Sequence, residues 1–197
     1  MKRIIIVFDF DGTITKSDSF IAFIRYSCGI VSLLIGLIIF SPMLLLYKLH
    51  LYPNWRAKQR LFKYFFGGMS FSDFSNLGVG FIDKIEKMVR PMALEYIAGH
   101  ISSDHCIYVV SASVEEWIKP WCKKHGLENI IGTKIEVVDN VVTGRFLTRN
   151  CYGEEKINRF LREEPYRNEY YLIAYGDSHG DDEMINFADE GYYCKFE

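Results

Sequence analysis

Four short clusters of polar residues carry the side chains that could do chemistry in this sequence. The first is Asp9-Phe10-Asp11-Gly12-Thr13, in which two carboxylates flank one residue and a glycine lets the chain turn. Asp9 could attack phosphorus and form an aspartyl phosphate, while Asp11 could protonate the departing alcohol and then activate water. An ordinary Asp-Gly turn after a strand is the plainer interpretation of this string taken alone.

The second cluster is Ser111-Ala112-Ser113, which follows an apolar run. A hydroxyl and backbone N–H groups at the start of a helix could bind phosphate oxygens there. Ser113 also fits a helix N-cap, with Glu116 completing a capping box. Both interpretations can hold together, with Ser113 as the cap and Ser111 against phosphate.

The third and fourth clusters could supply a cation and a metal site. Lys156 stands at a helix start, where the helix dipole disfavours a cation, and it could stabilise negative charge and keep Asp9 ionised. A solvated surface lysine is the alternative. In Gly176-Asp177-Ser178-His179-Gly180-Asp181, Asp177 suits coordination of Mg²⁺ together with Asp9, and Asp181 suits a supporting position.

Three apolar runs predict the strands that position these clusters: residues 3–8, 104–110 and 170–175. Helical patterns lie near 113–125, 153–163 and 180–189. Alternation of strands and helices predicts an α/β fold with a Rossmann-like open parallel sheet, which binds ligands at the carboxyl ends of its strands.

The remaining segments predict two additions to this core. Residues 134–138 and 141–147 predict a small β-hairpin appended to the sheet, and 191–196 an edge strand. Residues 17–90 interrupt the alternation of strands and helices and predict an inserted, all-helical cap. The expected division is a catalytic core of residues 1–16 and 91–197 with a cap of 17–90.

The order of the clusters resembles that of the haloacid dehalogenase superfamily over essentially the whole chain. The shared motifs are D-x-D-G-T at 9–13, the serine at 111, the lysine at 156 and G-D-S-x-x-D at 176–181. The resemblance implies a nucleophile at Asp9, an acid/base at Asp11, and catalytic roles for Ser111 and Lys156. It also implies Mg²⁺ bound by Asp9, Asp177 and the backbone carbonyl of Asp11. An aspartate at position 11 favours phosphatase over dehalogenase chemistry.

The helical segment resembles the phosphoserine-phosphatase-like branch of that superfamily. There, an acidic residue nine positions after the nucleophile contacts the substrate, and Asp18 holds that position here. The residues expected to bind substrate are Gly12, Ser111, Ala112 and Asp18. Residues 150–156 resemble a sub-branch that includes phosphatidylglycerophosphatase C. No acid follows Asp18 before Asp73, which disfavours a specific amino-acid substrate.

Residues 28–47 contain no charge and are numerous enough to span a bilayer. A single span would, however, place Asp9 and Ser111 on opposite sides of the membrane. Because Pro42 disrupts a helix interior, we expect two shorter helices that meet near Ser41 and Pro42. They could enter one leaflet, lie at the interface or pack as a buried cap core.

The charge of the segment helps to choose among these arrangements. Residues 19–72 contain six cations and no acid, so the rest of the chain carries −8 against a formal total of −2. The six are Arg25, Lys48, Arg56, Lys58, Arg60 and Lys63. Apolar helices beside a basic stretch are typical of a membrane-surface element. The alternative is a packed cap whose basic face attracts phosphate substrates.

The favoured hypothesis is a Mg²⁺-dependent phosphomonoesterase that acts on a lipid phosphate, with phosphatidylglycerophosphate suggested by the resemblance. Its alternatives are a soluble phosphatase for a small, phosphoserine-like metabolite, a phosphotransferase, or a non-catalytic membrane-binding module. Five scattered cysteines and an apolar run too short for a cleaved signal predict a cytoplasmic protein. We expect it to be peripheral at the inner face of the cytoplasmic membrane, with an anionic membrane surface and no nucleic acid as partner.

Overall fold

The computed structural model describes residues 2–103 and 105–196, and its centre is a five-stranded parallel sheet. The strands of this sheet are β1 (Arg3–Phe8), β2 (Cys106–Val114), β3 (Asn129–Thr133), β6 (Tyr170–Gly176) and β7 (Glu190–Tyr193). Their order across the sheet is β3-β2-β1-β6-β7. Two further strands, β4 (Ile135–Val138) and β5 (Val141–Phe146), form a separate antiparallel pair.

Burial of both faces explains why the central strands are almost wholly apolar. In β1, Ile5 and Val7 face one buried cluster, while Ile6 and Phe8 face the other. Such alternation into two cores is expected of a parallel strand covered on both sides. The predicted α/β, Rossmann-like open sheet with a small hairpin is confirmed.

Nine α-helices are present within the described residues, and the first five of them follow β1 in the chain and form the insertion. These five are α1 (Ser19–Ile39), α2 (Ser41–Lys48), α3 (Asn54–Phe66), α4 (Phe71–Gly80) and α5 (Ile82–Met88). The other four are α6 (Pro91–Ser102), α7 (Glu115–Lys124), α8 (Glu154–Glu163) and α9 (Asp182–Phe187). The break between α1 and α2 lies at Phe40, with Pro42 in the first turn of α2, where proline is tolerated.

The five-helix insertion shares its hydrophobic core with the sheet domain. Phe23 of α1 stacks on Trp117 of α7 at 4.8 Å between ring centroids and meets Phe74 of α4 at 5.7 Å. A β-bridge between Thr15 and Val89 joins the two ends of the insertion. The division into a core and a cap at residues 17–90 stays a prediction.

Two expected elements differ in the structure. The predicted strand 104–110 starts at Asp104, outside the described residues, and β2 continues to Val114. Helix α7 therefore begins at Glu115 after Val114, so the expected N-cap at Ser113 is wrong. The hydroxyl of Ser113 instead bonds to Asp11.

The hairpin and one strand also depart from expectation. The hairpin is not appended to the sheet but packs on α3, where the Phe146 N–H donates to Gln59 Oε1 at 3.0 Å. Strand β3 was not predicted, because its sequence NIIGT is too short and too mixed to show a strand pattern. The expected edge strand is present as β7.

Candidate active site

The predicted site residues converge at the carboxyl ends of the central strands. Phe8 pairs with Val109 of β2 and with Tyr175 of β6, so the residues that follow these positions are neighbours. They line one cavity of about 480 Å³. The predicted residues on its wall are Asp9, Asp11, Gly12, Asp18, Ser111, Ala112, Lys156 and Asp177. Asp181 lies behind this wall, in contact with Lys156.

A buried lysine links two buried carboxylates. Lys156 Nζ donates to Asp9 Oδ1 at 2.5 Å and also donates to Asp181 Oδ1. Burial lowers the pKa of Lys156, but the two carboxylates raise it by more than burial lowers it. The net shift of the pKa is upward, so the lysine stays charged. Burial raises the pKa of Asp9 to about 8, although the positive charge of Lys156 acts to lower it.

The donor set suits a hard divalent cation. Carboxylate oxygens of Asp9, Asp177 and Asp181 all lie within 4.8 Å of one another. Asp181 is already engaged, because its Oδ2 accepts from the backbone N–H groups of Asp177 and Ser178 at 3.2 and 3.1 Å. Burial raises the pKa of Asp177, and so does the negative charge of Asp181. A bound cation would relieve the repulsion between these carboxylates. Oxygen ligands of this kind fit Mg²⁺, with Asp181 as a supporting residue.

Asp11 is held in a fixed orientation by two serines. Its Oδ1 accepts from the Ser19 N–H at 2.8 Å, and its Oδ2 accepts from Ser113 Oγ at 2.5 Å and from Ser19 Oγ at 3.2 Å. Burial, followed by the charge of Asp18, raises the pKa of Asp11 to about 6. A carboxyl with this pKa can exchange a proton near neutral pH, as a general acid/base must.

The turn at Gly12, which follows β1, lies directly against the carboxylate of Asp177, which follows β6. Gly12 has a φ of 86°, and a Cβ at this position would overlap the carboxylate of Asp177. The backbone conformation and the lack of space both require glycine here. Arg90 Nε donates to the carbonyl of Gly12 at 3.2 Å and fixes the turn from outside.

The other predicted substrate residues occupy the cavity wall. Ser111 is buried, and its Oγ accepts from the Ser113 N–H at 3.1 Å. The pairing register of β2 with β3 shifts between Val110 and Val114, which is the irregularity that contains Ser111 and Ala112. Asp18 is exposed and caps α1 by accepting from the Ile21 N–H at 3.0 Å. Its contact with substrate stays a prediction.

Sequence reasoning missed three residues of the site. Ser19 and Ser113 orient Asp11, and no local pattern shows that they meet it. Lys58 was assigned to a basic membrane-facing stretch, but it lines the cavity and donates to the carbonyl of Ala112 at 2.9 Å. Burial lowers the pKa of Lys58, while Asp18 and Asp11 oppose that shift. The insertion therefore adds a cation to the wall of this cavity.

Comparison with known proteins places this geometry in a family. The family model described as haloacid dehalogenase-like hydrolase matches residues 6–185. The protein named CicA from Caulobacter vibrioides is 29% identical over 197 residues, which are 99% of this chain and 87% of the relative.

Two solved structures share the fold at low sequence identity. A protein of unknown function from Bordetella pertussis Tohama I superposes with a TM-score of 0.80 at 17% identity, covering 94% of this chain and 87% of that chain. A phosphoserine phosphatase, solved as an analogue of its phospho-aspartyl intermediate, superposes with a TM-score of 0.64 at 18% identity, covering 95% and 84%. At these identities the likeness establishes the fold.

Proposed function

The chain belongs to the haloacid dehalogenase-like hydrolases, and within that family we propose that it is a Mg²⁺-dependent phosphomonoesterase with Asp9 as its nucleophile. The observation that carries the proposal is the buried bridge of Lys156 between Asp9 and Asp181, beside Asp177 and the fixed carboxyl of Asp11. A binding module has no need of such a costly set of buried charges.

Two displacements at phosphorus account for the roles of the two carboxylates. Asp9 attacks phosphorus and the ester P–O bond breaks, while Asp11 gives its proton to the departing alkoxide. Water then attacks the aspartyl phosphate and loses a proton to Asp11, the bond between phosphorus and the Asp9 oxygen breaks, and inorganic phosphate leaves. Lys156 holds Asp9 in position and neutralises charge on the phosphoryl oxygens.

Asp9, Asp177 and the carbonyl of Asp11 are the expected holders of Mg²⁺, and Asp181 keeps Lys156 in place. When bound, the ion supplies positive charge that offsets the negative charge of the phosphoryl group and of the clustered aspartates. The same charge favours the ionised form of Asp9, against the effect of burial.

An exposed apolar surface beside the cavity supports a lipid as the substrate. Ten aliphatic side chains of α1, α2 and the following turn form it, and we call it the apolar face. They are Ile30, Val31, Leu34, Ile35, Ile38, Ile39, Leu45, Leu46, Leu49 and Leu51. An exposed apolar patch of this extent marks a protein or membrane interaction site. Helix α2 also places Leu44 and Tyr47 on the wall of the catalytic cavity, so it joins the cavity to the apolar face.

Helix α1 is long and apolar enough to cross a membrane, but its attachment to the site opposes a span. Only 22% of its most apolar stretch is buried. Its first residue, Ser19, is bonded to Asp11, and Phe23 packs in the core. Gly29, with a φ of 82°, kinks the helix, and the apolar side chains lie beyond the kink. The ten residues after Gly29 extend about 15 Å, roughly half of a bilayer core.

Basic side chains next to the apolar face favour an anionic membrane as its partner. Lys48, Arg56 and Arg60 are exposed, and the two arginines lie over the rings of Trp55 and Tyr52. Each such cation adds about 1 kcal/mol of attraction to an anionic surface. The proposed location is therefore peripheral, at the inner face of the cytoplasmic membrane, where α1 and α2 enter one leaflet and the cavity meets lipid phosphates.

A phosphate-release screen tests both levels of the proposal. The purified protein is assayed with and without Mg²⁺ on phosphatidylglycerophosphate in mixed micelles and on soluble phosphomonoesters, including phosphoserine. We expect release that needs Mg²⁺, that is faster on the lipid and that is abolished by Asp9→Asn. Faster release from soluble esters would instead favour a phosphatase for a small metabolite, and full activity of Asp9→Asn would refute the assigned nucleophile.

A further inference from the structure

A second cavity, of about 680 Å³, adjoins the catalytic cavity and has no part in the steps above. It lies between the start of α3, the segment after β5 and the start of α8. Three side chains line both cavities: Asn54, Asn150 and Tyr152. We call this second cavity the annex. A molecule with its phosphate at Asp9 would reach the annex by passing these three side chains.

Side-chain amides make the annex a surface of hydrogen-bond donors. Asn150 uses its Oδ1 to accept from Thr133 Oγ1 at 3.2 Å, and Gln59 uses its Oε1 to accept from the Phe146 N–H at 3.0 Å. Among the described residues, both NH₂ groups are then available to a ligand. Asn54 and Asn158 add two further amides, the second from the exposed face of α8.

The annex offers no excess positive charge to a second anionic group. Glu154 and Glu155 line it, whereas Arg149 is its only cationic side chain within the described residues. The guanidinium of Arg159 pairs with Glu155 at 2.9 Å and offsets the charge of that carboxylate, so Glu154 and Arg149 remain as one negative and one positive group. A second phosphate or a carboxylate would therefore find no net positive charge in the annex.

Aromatic rings complete the lining and indicate the class of ligand. Trp55 and Tyr152 line the annex and are partly exposed, so a saturated carbon chain or ring can pack against them there. Hydroxyl groups both donate and accept, so they can use the amide donors and the carboxylate acceptors together. A neutral molecule rich in hydroxyl groups meets all of these features at once.

We propose that the annex binds the hydroxylated alcohol of the substrate, a polyol or sugar that carries the phosphate removed at Asp9. The inference rests on the proposed phosphatase function and narrows its substrate to phosphates on hydroxyl-rich head groups, whether of a lipid or of a free metabolite. Binding energy from such a remote group raises kcat/KM when it positions the ester for attack.

Matched variants test the annex separately from the catalytic cavity. The annex variants are Asn158→Leu and Trp55→Ala. The control is Asn186→Leu, an exposed asparagine of α9 outside both cavities. Each is assayed for kcat/KM on glycerol phosphate, on a lipid with a glycerol phosphate head group in mixed micelles, and on p-nitrophenyl phosphate. The last ester has a leaving group without a hydroxylated chain.

The ratio of kcat/KM for the glycerol esters to that for the aryl ester should fall about tenfold in both annex variants. Asn186→Leu should leave the ratio unchanged. The preference of the wild type between soluble and micellar glycerol esters identifies the source of the head group. An identical ratio in all four proteins would overturn the proposal.

A binding measurement keeps the annex testable if the proposed function fails. That failure would show itself as no phosphate release from any of the three esters by the wild-type protein. Ligand-observed NMR with glycerol phosphate then compares the wild type with Asn158→Leu. Weaker binding by the variant supports the annex, and equal binding overturns it.

Discussion

The apolar face gives a quantitative prediction for membrane binding. The double variant Val31→Asn/Ile38→Asn changes the two residues of the apolar face that are most exposed in α1, at 66% and 71%. Full burial of an aliphatic side chain of this size is worth about 1.5–3 kcal/mol. About two-thirds of that remains to be gained on insertion, so the pair contributes roughly 2–4 kcal/mol. Loss of this energy weakens partitioning into vesicles by roughly 30- to 1,000-fold.

Co-sedimentation with anionic vesicles measures the change directly. The matched control is Val79→Asn/Ile101→Asn, which alters two exposed aliphatic residues outside the apolar face. The control should partition like the wild type, while the double variant of the apolar face should stay in the supernatant. Added salt should weaken wild-type binding, because it screens the exposed cations. Equal partitioning of both double variants would refute the membrane-docking role of this surface.

Three further substitutions test the site and the fold, with Ser102→Ala and Gly29→Ala as controls. Ser113→Ala removes a charge-assisted hydrogen bond to Asp11, and kcat should fall roughly 10- to 100-fold in steady-state assays while Ser102→Ala retains activity. Gly12→Ala should lower kcat/KM by more than about 100-fold because its Cβ overlaps Asp177. Gly29 has a similar φ but open space around it. Gly29→Ala should therefore lower the free energy of unfolding through the same backbone strain and keep the activity of the wild type. Glu116→Gln should stabilise the protein at high pH: burial raises the pKa of Glu116 to about 7, and Oε2 has no hydrogen-bond partner among the described residues. In the wild type, the stability that comes from protonating Glu116 is complete below its unfolded-state pKa and is lost as pH rises through 7. Denaturant unfolding should therefore show that Glu116→Gln has a free energy of unfolding about 1–3 kcal/mol above that of the wild type at pH 8.5, and an equal one at pH 4.

The parts of the site that could be predicted lie where a strand ends. Asp9 and Asp177 directly follow apolar runs, and parallel strands must bring such residues to one edge of the sheet. Lys156 could be found because a cation at a helix start conflicts with the helix dipole. Each of these signals is local, so a few neighbouring residues suffice to reveal it.

The remaining contacts depend on tertiary packing, which no local pattern records. Ser113 meets Asp11 across 102 residues of sequence, and the same Ser-x-x-Glu string also fits a helix cap. Lys58 looks like its basic neighbours until α3 is packed, when it alone of the basic stretch bonds to the wall of the catalytic cavity. The kink at Gly29 separates the first half of α1 from the half that carries the exposed side chains of the apolar face, a distinction that hydropathy does not make.

Capture of the covalent intermediate shows whether Asp9 is the nucleophile. The protein is mixed with substrate and Mg²⁺, quenched in acid, reduced with borohydride and digested, and the peptide that contains residue 9 is sequenced by mass spectrometry. We expect homoserine in place of Asp9, because reduction of an aspartyl phosphate gives this product, and we expect it only when substrate is present. An unmodified Asp9 with the label on another residue, or turnover with no trapped residue in a protein that still releases phosphate, would contradict this expectation.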